Sequence, residues 1–316
     1  MKIIDNSLPK PNSGSEYDKL DLKGEIFRNA VNSICQAEGI SSNSITTFTS
    51  GSCPVFGVND QFVVKMFAPV FEAHFIIEKT ALGFLGNSDF NYAPVMVSTG
   101  TFSDWPYIIM QKVEGRCLSD IWLNLTVDEK MQIVRKIGSV TKEMHNLSIE
   151  DLPPTLKNWN DFIRSQGESA FLKQKENGLD EQYLEEIPSF LKSVELPQSD
   201  RQSFLHTELM RDHIFVERTS GEWRITGIID FEPSTVGNAE YDFASVGLFI
   251  TQGEPRLFEY FLEGYGFDPM DQHLHKRVMV YAILHRYSSL KWYLSFMPKG
   301  SNLIALSKFW FTTSMS

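Results

Sequence analysis

Two stretches of the sequence carry residue types suited to chemistry. "FLHTELMRDHIFV", Phe204 to Val216, sets His206, Glu208, Asp212 and His213 in one short segment. "GIIDF" follows and leaves a lone carboxylate, Asp230, at the end of an apolar run. A carboxylate can orient and deprotonate an attacking hydroxyl, and a second one at a strand end can help hold a divalent cation against phosphate oxygens. Phosphoryl transfer needs little more than that, because it depends on positioning and charge neutralisation more than on covalent help from the protein. Each segment alone is equally well read as a loop carboxylate or a capping group. Their order and closeness give the chemical reading its weight.

Lys65 is a third candidate. "FVVKMF" places one lysine inside an otherwise apolar strand, and a buried ammonium needs an anionic partner. Glu78, on the helix that follows, is the obvious one. Two readings are open: a lysine that grips phosphate oxygens while the glutamate orients it, or a lysine that snorkels from a strand edge. On the first, Lys65→Met is expected to weaken nucleotide binding and leave stability unchanged or higher. Just upstream, "TSGSCP" offers Ser50, Gly51 and Ser52, small residues that can let backbone N–H groups approach phosphate; an ordinary turn reads as well.

The elements that must position these residues fall into two kinds. Residues 1–23 are polar with two prolines and read as an extended arm. From Gly24, Phe27, Val31, Ile34 and Cys35 recur at helical spacing. "SITTF", "VFGV" and "QFVVKMF" read as strands, the last two joined by a turn at Asn59-Asp60. "FEAHFIIEKTALGFL" reads as a helix with Phe71, Phe75, Glu78 and Leu82 on one face, and "APVMVS" and "WPYIIMQKV" as further strands. The rest is mainly helical. "TVDEKMQIVRKIGSVTKEMHNL" opens on a capping box, Thr126 with Glu129. Residues 155–195 read as helix broken near Gly167, Gly178 and Pro188. "SFLHTEL", "HIFVE" and "WRITGIIDF" contain short strand-like runs, with a turn at Ser220-Gly221. The organisation expected is a β-rich part over 24–112 and a helical part over 113–316, joined near Gln111 to Gly115, with a small-molecule site in the cleft between them.

Bulk composition narrows the partners. The 316 residues are 42% hydrophobic and 22% charged, with a net charge of −11. That balance argues against nucleic acid, whose phosphates call for a basic face. Cys35, Cys53 and Cys117 are scattered and odd in number, so neither a disulfide framework nor a cysteine zinc site is expected. The N-terminus lacks the apolar core of a signal peptide, and no uncharged apolar run is long enough to cross a bilayer. "VMVYAILHRYSSLKWYLSF", interrupted by His285, Arg286 and Lys291, reads as one buried helix. A reduced, cytoplasmic protein without a membrane partner is the expectation.

Taken in order, "TSGSCPVFGV", "FVVKMF", "IIEKTALGFL", "WPYIIMQKVEG", "KEMHNL", "FLHTELMRDHIFV" and "GIIDFEPSTVGNAEYDFA" resemble the aminoglycoside phosphotransferase family, relatives of choline kinases and protein kinases, with a flavour closest to the hygromycin-type kinases. The resemblance runs from about residue 43 to 250. It implies an α+β, protein kinase-like two-lobed fold with a small β-rich N-lobe and a larger helical C-lobe. It implies ATP or GTP as phosphoryl donor, Mg²⁺ (or Mn²⁺) as metal, and a small-molecule acceptor, with hygromycin, another cationic aminoglycoside, a choline-like amine and a natural-product sugar all open. By resemblance Lys65 contacts phosphates with Glu78 fixing it, Ser50, Gly51 and Ser52 lie over the phosphates, and Met110, Gln111 and Val113 belong to the hinge that pairs with the base. Asp230 is the principal metal ligand, Glu208 the catalytic base, His213 a second metal position, and His206 and Asp242 support the loop. Three residues depart from the family's usual His-Gly-Asp and later Asn: Thr207 stands for Gly, Glu208 for Asp and His213 for Asn. Glutamate keeps the carboxylate but adds a methylene, about 1.5 Å of chain, and imidazole suits softer ions than Mg²⁺. A catalytically impaired nucleotide binder is therefore the alternative to an active kinase. Glu232, Glu240, Asp161, Trp159, Tyr287 and Trp292 are candidates for the acceptor site, with a core role the commoner fate of such aromatics.

Overall fold

Hairpin chemistry shapes the first part of the chain. Asn59 and Asp60 take left-handed φ values of 53° and 58°, and Ser103 and Asp104 take 49° and 67°. Short polar side chains tolerate that region, and turns of this hand match the twist of the strands they join. In the computed structural model, which describes residues 8–48, 51–196, 202–267 and 271–311, the chain divides into two units. The first comprises Met1–Glu114 with Ile229–Pro233, the second Gly115–Ile228 with Ser234–Ser316.

The first unit contains α1 (Gly14–Tyr17), α2 (Glu25–Ala37) and α3 (Glu72–Gly86), with strands β1 (Ile45–Thr47), β2 (Val55–Val58), β3 (Phe62–Met66), β4 (Met96–Phe102) and β5 (Trp105–Gln111). The strands form one antiparallel sheet in the order β1-β2-β3-β5-β4. Phe27, Val31, Ile34 and Cys35 of α2, the face that the spacing marks, are buried together with Phe56, Val58, Val64, Met66, Trp105, Tyr107 and Ile109. Side chains alternate along a strand. With Val64 and Met66 committed to this core, Lys65 between them is sent to the opposite face of the sheet. The segment read as an extended arm also contributes: Leu8 and Tyr17 join the same core, and the Trp105 indole donates to the Pro9 carbonyl at 2.9 Å.

The second unit begins with β6 (Arg116–Cys117), α4 (Leu118–Ile121), α5 (Val127–His145), α6 (Trp159–Glu176), α7 (Glu181–Leu184) and α8 (Ile187–Ser193). After β7 (Ser203–Leu205), β8 (Ile214–Thr219), β9 (Glu222–Ile228) and β10 (Thr235–Gly237) come α9 (Glu240–Val246), α10 (Pro255–Tyr265), α11 (Leu274–Leu284), α12 (Leu290–Phe296) and α13 (Leu303–Phe311). β6, β8 and β9 form one small sheet, and β7 pairs with β10. The capping box is made: the Thr126 hydroxyl accepts the Glu129 N–H at 3.3 Å and the Glu129 carboxylate accepts the Thr126 N–H at 3.0 Å. Gly167 does not break α6, which runs through it to Glu176. The run from Val278 to Phe296 is two helices, not one, because the backbone turns extended at His285 (ψ 140°) and the Ser288 hydroxyl takes the Ala282 carbonyl at 2.7 Å. Among the described residues no helix is long and apolar enough to cross a membrane.

α5 and α10 meet backbone to backbone. A Cβ on Gly138 would lie 2.1 Å from the Phe261 carbonyl oxygen, and one on Gly264 would lie 1.9 Å from that of Arg135. Gly138→Ala is therefore expected to cost about 3 kcal/mol, the upper range for overpacking against atoms that cannot swing away. Gly167→Ala is the control. A Cβ there meets nothing within 4 Å, and an alanine inside a helix gains about 0.5–1 kcal/mol over glycine. Urea midpoints that fell together for both variants would refute the close helix contact.

Candidate active site

Lys65 reaches the α3 side of the first unit and is buried. Its Nζ lies 2.6 Å from Glu78 Oε2 and 2.5 Å from Asp230 Oδ1. Of the two readings of Lys65, the snorkelling one does not hold. Burial alone would lower the ammonium's pKa, but Asp230 and Glu78 outweigh it and hold Lys65 well above the usual lysine value. Two carboxylates share one ammonium, so the cluster has an excess of negative charge. Burial, with Asp230 adding to it against the opposing pull of Lys65, raises the pKa of Glu78. Asp230 is a third exposed and sits at φ 70°, a conformation aspartate tolerates. Two residues on, Glu232 meets His74 of α3, so residues 229–233 are tied to β3 through Lys65 and to α3 through His74. Glu232 is thereby committed within this unit.

The phosphate-loop and hinge candidates lie in the same unit. Ser50 falls outside the described residues. Gly51 has φ 97° with open space where a Cβ would stand. The Ser52 carbonyl accepts the hydroxyl of Tyr17, whose ring packs edge-on to Phe71. Cys53 is pushed up to about 11, mainly by burial, and is a thiol. Met110 is buried and Gln111 exposed at the end of β5; the Gln111 N–H donates to Val95 and the Lys112 N–H to Gln61. Val113 lies beyond the sheet. In the second unit, Gly115 at φ 96° is a position only glycine fills, since a Cβ would meet the Val216 carbonyl at 2.6 Å.

The second unit holds the Glu208 loop. Asp242, in the first turn of α9 and fully buried, accepts the N–H of His206 at 3.0 Å and of Thr207 at 2.7 Å, and faces His145 Nε2 at 2.9 Å. The other His145 nitrogen meets the Tyr265 hydroxyl at 3.1 Å. The next two amides are also taken: Glu208 N–H donates to His206 Nδ1 at 3.2 Å and Leu209 N–H to the Ser245 hydroxyl at 3.2 Å. Thr207 is held at φ 71°, a strained region for a β-branched residue. Its carbonyl accepts from His285 Nε2 at 2.9 Å, which explains why the long apolar run breaks there. Burial lowers His285 to about 4, so this ring is neutral near pH 7. His213 Nδ1 donates to the Glu208 carbonyl at 2.9 Å. A carbonyl only accepts, so the proton is on Nδ1 and the lone pair of the neutral ring is on Nε2, the form in which imidazole binds metals. Asp212 is exposed.

Other sequence candidates have structural engagements. Glu240 is buried and held by the Arg277 guanidinium through both oxygens; Asp161 pairs with Arg164 on the surface; Trp159 packs against Tyr241. Asp230 and His213 do not form part of a closed metal cluster: among the described residues no group of three or more His, Cys, Asp or Glu is placed to hold an ion. One carboxylate with few protein ligands is nevertheless the usual protein share of a nucleotide-bound Mg²⁺, whose other ligands are phosphates and water. The sequence reading quoted His145 within "KEMHNL" but gave it no role, missed Ser245, Tyr265 and Tyr17, and took His285, a lone polar ring in an apolar run, as a mere interruption.

Two expectations follow from this geometry. Lys65→Met leaves Glu78 buried beside Asp230 with no cation, so it is expected to cost about 3–5 kcal/mol, against the sequence-based expectation of unchanged or higher stability. Adding Glu78→Met should recover most of that loss in urea unfolding, and no recovery would sink the ion cluster as its cause. Thr207→Gly removes strain worth about 1–3 kcal/mol and adds back roughly 0.5–1 of chain entropy. It should raise stability by about 1 kcal/mol; a clear loss would show that Thr207 is at ease where it is.

Residues 44–275 match the phosphotransferase enzyme family (APH). The fold is similar to the GDP complex of wild-type aminoglycoside 2'-phosphotransferase-IIIa, at 20% identity and TM-score 0.68 over 82% of this chain and 89% of that one. It is also similar to the streptomycin–ATP–APH(2")-IIa ternary complex (17%, TM-score 0.60, 80% and 89%) and to ADP-bound aminoglycoside phosphotransferase APH(2'')-Ib (17%, TM-score 0.60, 90% and 99%). At these identities the likeness shows the fold, a mixed α+β chain with a β-sheet N-terminal region and a helical C-terminal region. The match spans well over half of the sequence, and the chain belongs to the phosphotransferase enzyme family.

Proposed function

We propose that the protein transfers the γ-phosphoryl group of ATP or GTP to a hydroxyl of a small-molecule acceptor. The observation that carries this reading is the Lys65 ammonium held between buried Glu78 and part-exposed Asp230. A lysine kept charged and dry, with one fixed and one exchangeable carboxylate, is suited to meeting phosphate. The solved relatives named above hold GDP, ADP or ATP, which supports a purine nucleotide as donor. Their streptomycin makes an aminoglycoside hydroxyl the first acceptor to test.

The roles run as follows. Asp230, with His213 as second candidate, would hold a divalent cation, which when bound neutralises charge on the β- and γ-phosphates. Lys65, kept in place by Glu78, would turn its donors to phosphate oxygens. The backbone around Gly51 and Ser52 approaches the phosphates, and the Met110–Val113 backbone pairs with the base. Glu208 accepts the proton of the attacking hydroxyl. His206 and Asp242 do no chemistry; they hold the Glu208 backbone still.

Acceptor-dependent nucleotide turnover tests the reading. Asp230→Asn should abolish transfer and remove metal-dependent stabilisation by nucleotide; unchanged turnover would remove Asp230 from the site. Glu208→Gln should slow transfer by roughly 10²–10⁴-fold, the range for a lost general base. Glu208→Asp should hold or raise activity if the pocket suits the shorter acid, and lower it if the pocket is built around glutamate. With His213 as a ligand, Mn²⁺ should outperform Mg²⁺, and His213→Asn should reverse the preference. A wild-type protein that binds nucleotide and phosphorylates no acceptor, but gains activity with Glu208→Asp and His213→Asn together, would instead be an impaired nucleotide binder.

A further inference from the structure

The N-terminal segment of the first unit reaches the loop that the proposed function sets against the phosphates. Residues 8–17 are fastened to the sheet: the Leu8 N–H donates to the Ser103 hydroxyl at 3.0 Å, and the Trp105 indole holds the Pro9 carbonyl. Tyr17, the last residue of α1, is buried, and its ring packs against Phe71 and Trp105 at 5.0 and 6.2 Å. Its hydroxyl donates to the Ser52 carbonyl. Burial, with the neighbouring Cys53 thiol adding to it, raises the pKa of that hydroxyl, so it stays a donor through the neutral range. Tyr17 stands outside the family match, which begins at residue 44.

That bond fixes a peptide plane close to Lys65. Val55 pairs with Lys65 across β2 and β3, and the Pro54 carbonyl accepts the Met66 N–H at 3.0 Å, so Cys53 comes just before the strand that flanks Lys65. The charges of Lys65, Asp230 and Glu78 all reach the Cys53 thiol. Packing gives the preceding residues little hold: Gly51 and Ser52 are exposed, and a Cβ on Gly51 would meet nothing within 4 Å. In a trans peptide the carbonyl and the following N–H point in opposite directions. With the Ser52 carbonyl bound by Tyr17, the Cys53 N–H is therefore turned away from the tyrosine, while Gly51 at φ 97° makes the turn before it. A loop whose amides are to meet phosphate binds more tightly when they are set in advance, because less chain freedom is lost on binding.

We infer that Tyr17 is a positioning residue for the phosphoryl donor: its hydroxyl sets the Gly51–Cys53 backbone for phosphate, which makes the N-terminal segment part of the nucleotide site. The inference rests on the phosphotransferase reading for its ligand, whereas the brace itself can be measured without one. Tyr17→Phe is the variant, since it removes the hydroxyl and keeps the ring against Phe71 and Trp105. In the full chain without ligand, hydrogen exchange should quicken in peptides that cover Gly51–Cys53, with the thermal midpoint within about 2 °C of wild type because water replaces the lost donor. Titration with ADP and with GDP, each with Mn²⁺, comes next. The tighter of the two should bind the variant about three- to tenfold more weakly, the scale of one net hydrogen bond. Its nucleoside, which has no phosphates, should bind both proteins alike. A tyrosine that only fills the core would shift nucleoside and nucleotide together, or the midpoint. Tyr17→Leu, which also removes the ring, should lower the midpoint as well as the nucleotide affinity. Unchanged exchange over Gly51–Cys53, unchanged nucleotide affinity, or equal weakening of the nucleoside in Tyr17→Phe would overturn the brace and leave the kinase reading standing. Quickened exchange in a protein whose wild type binds neither nucleotide would overturn the kinase reading, and with it the part of Tyr17 in donor binding.

Discussion

A single buried carboxylate governs the geometry of the Glu208 loop. Asp242 has no access to water, so its charge must be met by hydrogen bonds. Two of them come from consecutive backbone amides, His206 and Thr207, and one from His145. Two successive N–H groups can aim at one carboxylate only if the chain turns sharply, and that turn places Thr207 in the left-handed region. The demand spreads outward. His145 stands at the end of α5, its partner Tyr265 at the end of α10, and these helices meet closely because Gly138 and Gly264 have no Cβ. Ser245, one turn along the helix of Asp242, takes the Leu209 amide. Helix packing and loop conformation are thus one problem with one solution.

The Lys65 cluster is built on the opposite principle. Asp242 is rigid because every partner is fixed; Lys65 sits among ion pairs that can be exchanged. Glu78 is buried on a helix and cannot leave, whereas Asp230 is partly in water on the short segment 229–233. Two anions on one cation leave a local excess of negative charge, a poor arrangement for stability alone, since buried ion pairs seldom improve on apolar packing. It is the arrangement that the proposed function asks for, one fixed and one part-exposed carboxylate on a buried lysine.

How much of this was legible in the sequence depends on the range of the interaction. The hairpin at Asn59-Asp60, the capping box at Thr126 and the buried face of α2 come from local rules, with turn chemistry, a four-residue pattern and helical period each carrying its own signal. Lys65 with Glu78 was legible as a charge needing a partner, whereas its contact with Asp230, 165 residues away, had no local pattern. His145 stood within "KEMHNL" without a role, and Ser245 and Tyr265 left no trace, since a hydrogen bond across 97 residues, as between His145 and Asp242, has no local pattern. The break at His285 was misread for the same reason: the apolar period on either side argues for one helix, and the bonds that hold the turn, among them those to the Thr207 carbonyl and from Lys173, come from far along the chain.

The three departures in the loop can be weighed physically. Thr207 in a glycine-like conformation carries strain of about 1–3 kcal/mol, which persists only where surroundings over-determine it; Asp242 and His285 do so through its amide and carbonyl. His213 is tied through Nδ1 to the Glu208 carbonyl, so its ring braces the same residue whose side chain is proposed to act, while its Nε2 keeps the tautomer for a metal. Substitution has changed the chemistry of the loop and kept its order. Order matters because a misplacement of about 1 Å costs a reacting group roughly 100-fold, and neither the threonine nor the histidine introduces one by loosening the backbone. What remains is the extra methylene of Glu208. On the proposed mechanism, transfer therefore turns on whether an acceptor brings its hydroxyl to where that longer carboxylate ends.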